Sequence, residues 1–162
     1  MKKLLALFLS LNLIVAGGCG VYTFNPHGKS DITNISIEPF ANETNEFGLA
    51  DRLTELVIDA FITDGTLKIV PLDNAEAFLV GVLTGYQRLP HKFDENDQVE
   101  EYKILLDVEI ALKNAGDDSE KWKERLTFEG IYNANDETEE DGQVRASERL
   151  VEAVLNKTTK SW

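Results

Sequence analysis

Two long alternating runs set the architecture of this 162-residue chain. Tyr102, Ile104, Leu106, Val108, Ile110 and Leu112 alternate with the mainly polar Lys103, Asp107, Glu109 and Lys113. A period of two over that length is a strand with one wet face and one buried face. After a turn at Asn114 to Asp118, Trp122, Leu126, Phe128 and Tyr132 line one face of a return strand, which completes a hairpin.

The rest of the chain supplies what must cover that hairpin. From Asn45 to Asp64, Leu49, Leu53, Leu56, Val57, Ala60 and Phe61 fall at helical spacing, with Asp51, Arg52, Glu55 and Asp59 largely opposite. Gly65 follows where a helix C-cap glycine belongs. A second amphipathic helix is read through Val144, Ser147, Leu150, Val151 and Val154. The acidic segment Asp136 to Asp141 precedes it and brings negative charge to its N-terminus. Before the first helix, Ile35 and Ile37 alternate with Asn34, Ser36 and Glu38 in a short strand ended by Pro39, and Ala41 to Thr44 reads as a loop. That loop is expected to be capped by side chains through Asn42, Thr44 or Asn45. Leu67, Ile69 and Val70 form a short strand closed by Pro71. Phe78 to Gln87 reads as a buried strand whose Gly81 and Gly85 leave one face bare for a helix or another backbone. The predicted fold is α+β, with two helices packed on one face of a mixed sheet of about four to five strands in the order β-α-β-β-β-β-α.

At the N-terminus, Lys2 and Lys3 precede an apolar run from Leu4 to Val15 and the small residues Ala16, Gly17 and Gly18. These are the three regions of a secretory signal, and the run is too short for a spanning helix of roughly 20 residues. The only cysteine, Cys19, follows directly and resembles the lipobox cysteine of bacterial lipoproteins, with Ala16 in place of the usual leucine. The resemblance implies cleavage between Gly18 and Cys19 and a diacylglycerol, with its fatty acid chains, on the thiol. It also implies sorting to the outer membrane, because Gly20 stands where an aspartate marks inner-membrane retention. The expected organisation is a signal peptide over residues 1–18, a lipidated N-terminus and linker over 19–30, and a single domain over 31–162.

The chain carries a formal charge of −13, and without Lys2 and Lys3 it carries −15. Nucleic acid and anionic bilayer surfaces are poor partners for such a chain. His27 lies in the linker and His91 is read in a loop beside Pro90, each without a neighbouring cysteine or second histidine. Neither Asp94, Glu95 and Asp97 nor Asp136, Glu137, Glu139, Glu140 and Asp141 has the spacing of a calcium loop. With no phosphate-binding glycine loop and no nucleophile elbow, the reading is a non-enzyme without cofactor, catalytic residue or metal site.

Several segments together resemble the lipopolysaccharide-assembly lipoprotein family LptE. They are Cys19-Gly20-Val21-Tyr22-Thr23-Phe24, Ile37-Glu38-Pro39-Phe40-Ala41-Asn42-Glu43-Thr44 and Leu53 to Gly65, with the order of Ala75 to Tyr86 in agreement. The resemblance implies an outer-membrane lipoprotein, lipid-anchored at the periplasmic face, that supports assembly of and plugs the LptD β-barrel for lipopolysaccharide transport. Its implied partners are LptD, lipopolysaccharide and the outer membrane. A polyanionic ligand on an acidic chain needs a local basic face, for which the candidates are Arg88, Lys92, Lys121, Lys123 and Arg125. A similar strand, turn and helix also occurs in activators of cell-wall synthases and in curli-secretion relatives. The alternative function is therefore regulation of a periplasmic cell-wall synthase or a curli-type secretion component. About a dozen residues separate Cys19 from the first strand and span about 40 Å at most, which favours a partner within the outer membrane.

Overall fold

The computed structural model describes residues 32–160. The segments predicted to be signal, lipobox and linker, with Cys19 and His27, lie outside the described residues. Six strands and two α-helices follow in order. They are β1 (Asn34–Ile37), β2 (Ala41–Asn42), α1 (Leu49–Asp64), β3 (Lys68–Ile69), β4 (Ala77–Phe93), β5 (Val99–Asn114), β6 (Glu120–Asn133) and α2 (Glu139–Lys160), with a 3-10 turn at Leu72–Asn74. The sheet order is β3-β1-β4-β5-β6, with β2 also on β4. β1 is parallel to β3 and β4, which requires the crossover that α1 provides, while β4, β5 and β6 form an antiparallel meander. The α+β prediction, with both helices against one mixed sheet, matches this architecture.

Pro39 shapes the edge of the sheet. Having no N–H, it ends β1 after Glu38 N–H has bonded Leu79 O at 3.0 Å. Phe40 N–H then turns to Thr54 Oγ1 of α1 at 2.9 Å, and Thr54 passes its own proton to Ala50 O at 2.9 Å. The ladder resumes as β2, where Ala41 and Asn42 pair with Val82 and Leu83. Ala41 and Asn42, read as loop from sequence, are therefore a short strand.

β4 is also longer than the predicted Phe78 to Gln87, and it carries Pro90 and His91 within the strand instead of in a loop. Between Leu83 and Gly85 its register against β5 slips by one residue, from Leu83 opposite Val108 to Gly85 opposite Asp107. A one-residue slip exchanges the two faces of a strand. Ala77, Leu79, Gly81 and Leu83 thus face the helices in the first half of β4, and Tyr86 and Arg88 face them in the second half. Gly81 and Gly85 consequently lie on opposite faces, and neither meets a helix. The Phe40 ring packs on Gly81, with ring carbons 2.6 Å from where a Cβ would stand, and the Asp107 carboxylate fills the space beside Gly85. Beyond this point β4 and β5 continue as a hairpin closed by Asp94, whose Oδ1 accepts the Asn96 and Gln98 N–H groups.

The core is one continuous cluster between the sheet and the helices. Leu49, Leu53, Val57 and Phe61 of α1 and Ala146, Leu150 and Val154 of α2 bury against Ile35, Leu79, Leu83 and the inward row Ile104 to Leu112. α1 begins at Leu49 instead of Asn45, because Gly48 takes a left-handed φ of 74° immediately before it. It ends at Gly65 as the sequence predicts, with φ 67° and its N–H on Phe61 O. The α2 stripe centres on Ala146 and Leu150, which leaves Val144 exposed. Both helices start at the same end of the sheet: Arg52, in the first turn of α1, meets Glu140 at 2.7 Å and Gln143 at 2.9 Å. Among the described residues no helix is long and apolar enough to cross a membrane.

Candidate functional site

Where the β4–β5 hairpin leaves the helices, charged and aromatic side chains meet in one connected network. The register slip in β4 turns Arg88 onto the covered face, where its guanidinium carbon lies 3.6 Å from the Tyr102 ring centroid. Tyr132 stacks on Tyr102 with centroids 5.7 Å apart, and its hydroxyl accepts from Arg88 Nε at 2.5 Å. Glu139, the first residue of α2, approaches Arg88 at 3.5 Å and accepts the Tyr86 hydroxyl proton at 2.5 Å. Gln143 Nε2 donates to Tyr86 Oη at 3.0 Å and links the network to Arg52. Burial pushes the Tyr86 hydroxyl well above the usual tyrosine range, and the Glu139 carboxylate adds to that shift. Tyr86 is therefore a neutral donor at any physiological pH.

The acidic run ahead of α2 is taken up by the same construction. Thr138 and Asp141 cap the helix reciprocally, the Thr138 N–H and hydroxyl each 2.8 Å from Asp141 Oδ2. Glu137 pairs with Arg145 and accepts the Asn133 N–H at 2.7 Å. These bonds hold its carboxyl below the ordinary range, the Arg145 bond contributing most. Asp94 closes the β4–β5 turn. Among the described residues no group of three or more His, Cys, Asp or Glu side chains is arranged to hold a metal.

The five basic residues singled out from sequence do not form one patch. Arg88 lies on the helix-covered face. Lys92, near the hairpin tip, pairs with Glu100 at 2.8 Å. Lys123 and Arg125 lie on the opposite, open face of β6 and converge on Glu109 at 2.7 and 3.1 Å. Lys121 stands at the start of the same strand, and its charge helps hold the Glu76 and Asp117 carboxyls below their usual range. From sequence, Tyr102 and Tyr132 were read only as strand residues and Glu139 only as part of an acidic run, and Tyr86 and Gln143 were given no site role. No local pattern joins them, since only the slip in β4 brings Arg88 to their side.

An open mixed sheet with two helices on one face defines an α+β domain, and the charged and aromatic side chains at its β4–β5 end are bonded to one another. The chain belongs to the lipopolysaccharide-assembly family LptE, which matches it over residues 32–158. That is a family of non-enzymatic lipoproteins and associates this chain with lipopolysaccharide transport machinery. Several solved structures share the fold at low identity. Protein CT253 from Chlamydia trachomatis is 10% identical, with TM-score 0.57 over 78% of this chain and 95% of that one. The PelC dodecamer from Paraburkholderia phytofirmans is 13% identical, with TM-score 0.53 over 78% and 88%. Protein XCC0632 from Xanthomonas campestris is 8% identical, with TM-score 0.53 over 77% and 82%. No curated protein matches the chain by sequence.

Proposed function

We propose that this protein is lipidated at Cys19 and then cleaved behind Gly18, is held at the periplasmic face of the outer membrane, and supports assembly of the LptD β-barrel and plugs it during lipopolysaccharide transport. Membership of the LptE family is the observation that carries this reading. Its physical support is a domain with one continuous core and a charged surface, a shape suited to the polar interior of a large barrel. Only 14 residues, numbers 20–33, separate Cys19 from Asn34 of β1, so the domain stays close to its anchor. For contact with lipopolysaccharide the basic residues named above remain the candidates, and Lys121, Lys123 and Arg125 share strand β6.

Depletion of the protein in a lipopolysaccharide-producing cell tests the reading. The expected result is misassembled barrel and less lipopolysaccharide at the surface, with cell-wall synthase activity unchanged. Normal barrel and surface lipopolysaccharide after depletion overturns it.

A further inference from the structure

Phe47 stands fully exposed on a loop that is held in one shape. Asn42 Oδ1 accepts the Thr44 N–H at 2.9 Å and the Thr44 hydroxyl at 2.8 Å, while Asn42 Nδ2 donates to Glu46 O at 2.8 Å. Thr44 Oγ1 in turn accepts the Glu46 N–H at 3.1 Å, and Gly48 turns the chain into α1 with φ 74°. Phe47 therefore contributes nothing to the core while its loop fixes where the ring is displayed. A preorganised, exposed aromatic is the type of residue that anchors protein interfaces.

The strand beside this loop has an open edge. β2 follows β4 only as far as Leu83, whose carbonyl receives the Glu43 N–H at 2.9 Å. Among the described residues no strand pairs with that side of β4 from Gly85 to Phe93, although β5 pairs with its other side throughout. Pro90 lies in this stretch, as suits an edge strand. The loop and the open edge adjoin, since the Glu43 N–H bonds the Leu83 carbonyl just before that edge begins at Gly85. Exposed backbone groups next to Glu43, Glu46 and Asp51 cannot enter hydrocarbon without large cost, which argues for a protein and against a lipid surface.

We infer that the Phe47 loop and the β4 edge from Gly85 to Phe93 form a docking surface for a protein partner. The partner adds a strand to the edge and receives the Phe47 ring in an apolar pocket rimmed by basic side chains that complement Glu43, Glu46 and Asp51. Identifying that partner with the large barrel rests on the function proposed above.

The test places the photocrosslinking residue p-benzoylphenylalanine at position 47, and separately at Leu89, in the full-length chain in cells. Ultraviolet light should join both positions to the same outer-membrane protein. Phe47→Ala should lower recovery of that protein about tenfold, with an unchanged Tm, while Phe47→Trp retains it. Adducts to lipid alone, no adduct at 47, or full recovery with Phe47→Ala overturns the docking surface. An adduct at 47 without one at 89 removes the β4 edge from it. If the parent chain recovers the barrel and Phe47→Ala recovers as much, only the docking surface fails. If positions 47 and 89 both join one protein other than the barrel and Phe47→Ala lowers its recovery, the docking surface stands and the barrel assignment fails.

Discussion

Gly130 of β6 and Gly142 of α2 meet backbone to backbone: a Cβ on Gly130 would fall 1.9 Å from the Gly142 carbonyl oxygen and 2.7 Å from the Ala146 nitrogen. Neither atom belongs to a flexible side chain, so the helix would have to lift from the sheet. Gly130→Ala should therefore cost about 3 kcal/mol, a drop in Tm on the order of 10 °C, in melts of the chain from Gly20 onward. Gly85→Ala provides the contrast. There the nearest group is the Asp107 carboxylate at 2.6 Å, which can turn at the expense of its bond from Thr127, with the Asp107 Cβ at 3.1 Å yielding by a few tenths of an ångström, and the loss should be smaller, about 1 kcal/mol.

Leu53 and Leu106 are fully buried on facing elements, while Asp59 is exposed on the outer side of α1. Leu53→Asp and Leu106→Asp each place an unpaired charge in the core and should leave the domain largely unfolded at 25 °C by circular dichroism. Asp59→Ala should shift stability by less than about 0.5 kcal/mol. A parent-like melt for Leu53→Asp would mean that α1 packs on a different face.

The Glu137–Arg145 pair predicts a specific acid response. Its bonds to Arg145 and to the Asn133 N–H depress the Glu137 carboxyl in the folded state. A depressed carboxyl adds stability that is fully present above its unfolded value, about 4.3, and is lost as pH falls through the lower folded value. Thermal melts from pH 6 to pH 2 should show this loss below about pH 4. Arg145→Met should be destabilised near neutrality, and its Tm should fall less steeply than the parent's in that acidic window. Parallel curves for the two proteins would show that the pair makes no pH-dependent contribution.

Much of this fold was legible because its signals are local. The alternation from Tyr102 to Leu112 gave the middle strand of the meander, the spacing from Leu49 to Phe61 gave α1, and Gly65 marked its end. What escaped depends on partners distant in sequence. The slip between Leu83 and Gly85 is set by pairing with Val108 and Asp107, so nothing near Arg88 announces that it turns onto the covered face. Gly142 weakens a helix taken by itself, and its reason is Gly130 on another element. Ala41 and Asn42 become a strand only through Val82 and Leu83. The five basic candidates were chosen for charge, and charge alone does not reveal that Lys123 and Arg125 share Glu109 or that Lys92 pairs with Glu100.

Lipidation at Cys19 is testable independently of any partner. The lipobox thiol is the group that receives diacylglycerol and is then recognised for cleavage. Cys19→Ala should therefore incorporate no labelled fatty acid and should remain about 18 residues longer on a denaturing gel. Labelled fatty acid in the Cys19→Ala protein would show that the anchor is elsewhere.

The strength and salt response of the complex should separate a lumen plug from a transient regulator. A plug acts by occupying a volume, so it is expected to be stoichiometric with its barrel and to survive detergent extraction. Exposed ion pairs across an interface contribute at most about 1 kcal/mol each. Affinity resting mainly on such charges would fall away as salt screens them, whereas shape and buried apolar contact persist. Tagged protein purified in detergent should therefore carry one large outer-membrane barrel at a one-to-one ratio, and raising the salt from about 0.15 M to about 0.5 M should leave that ratio unchanged. Recovery of a cell-wall synthase without the barrel would replace the plug with a regulator, and a barrel lost at the higher salt would show that surface charge, not lumen occupancy, holds the complex together.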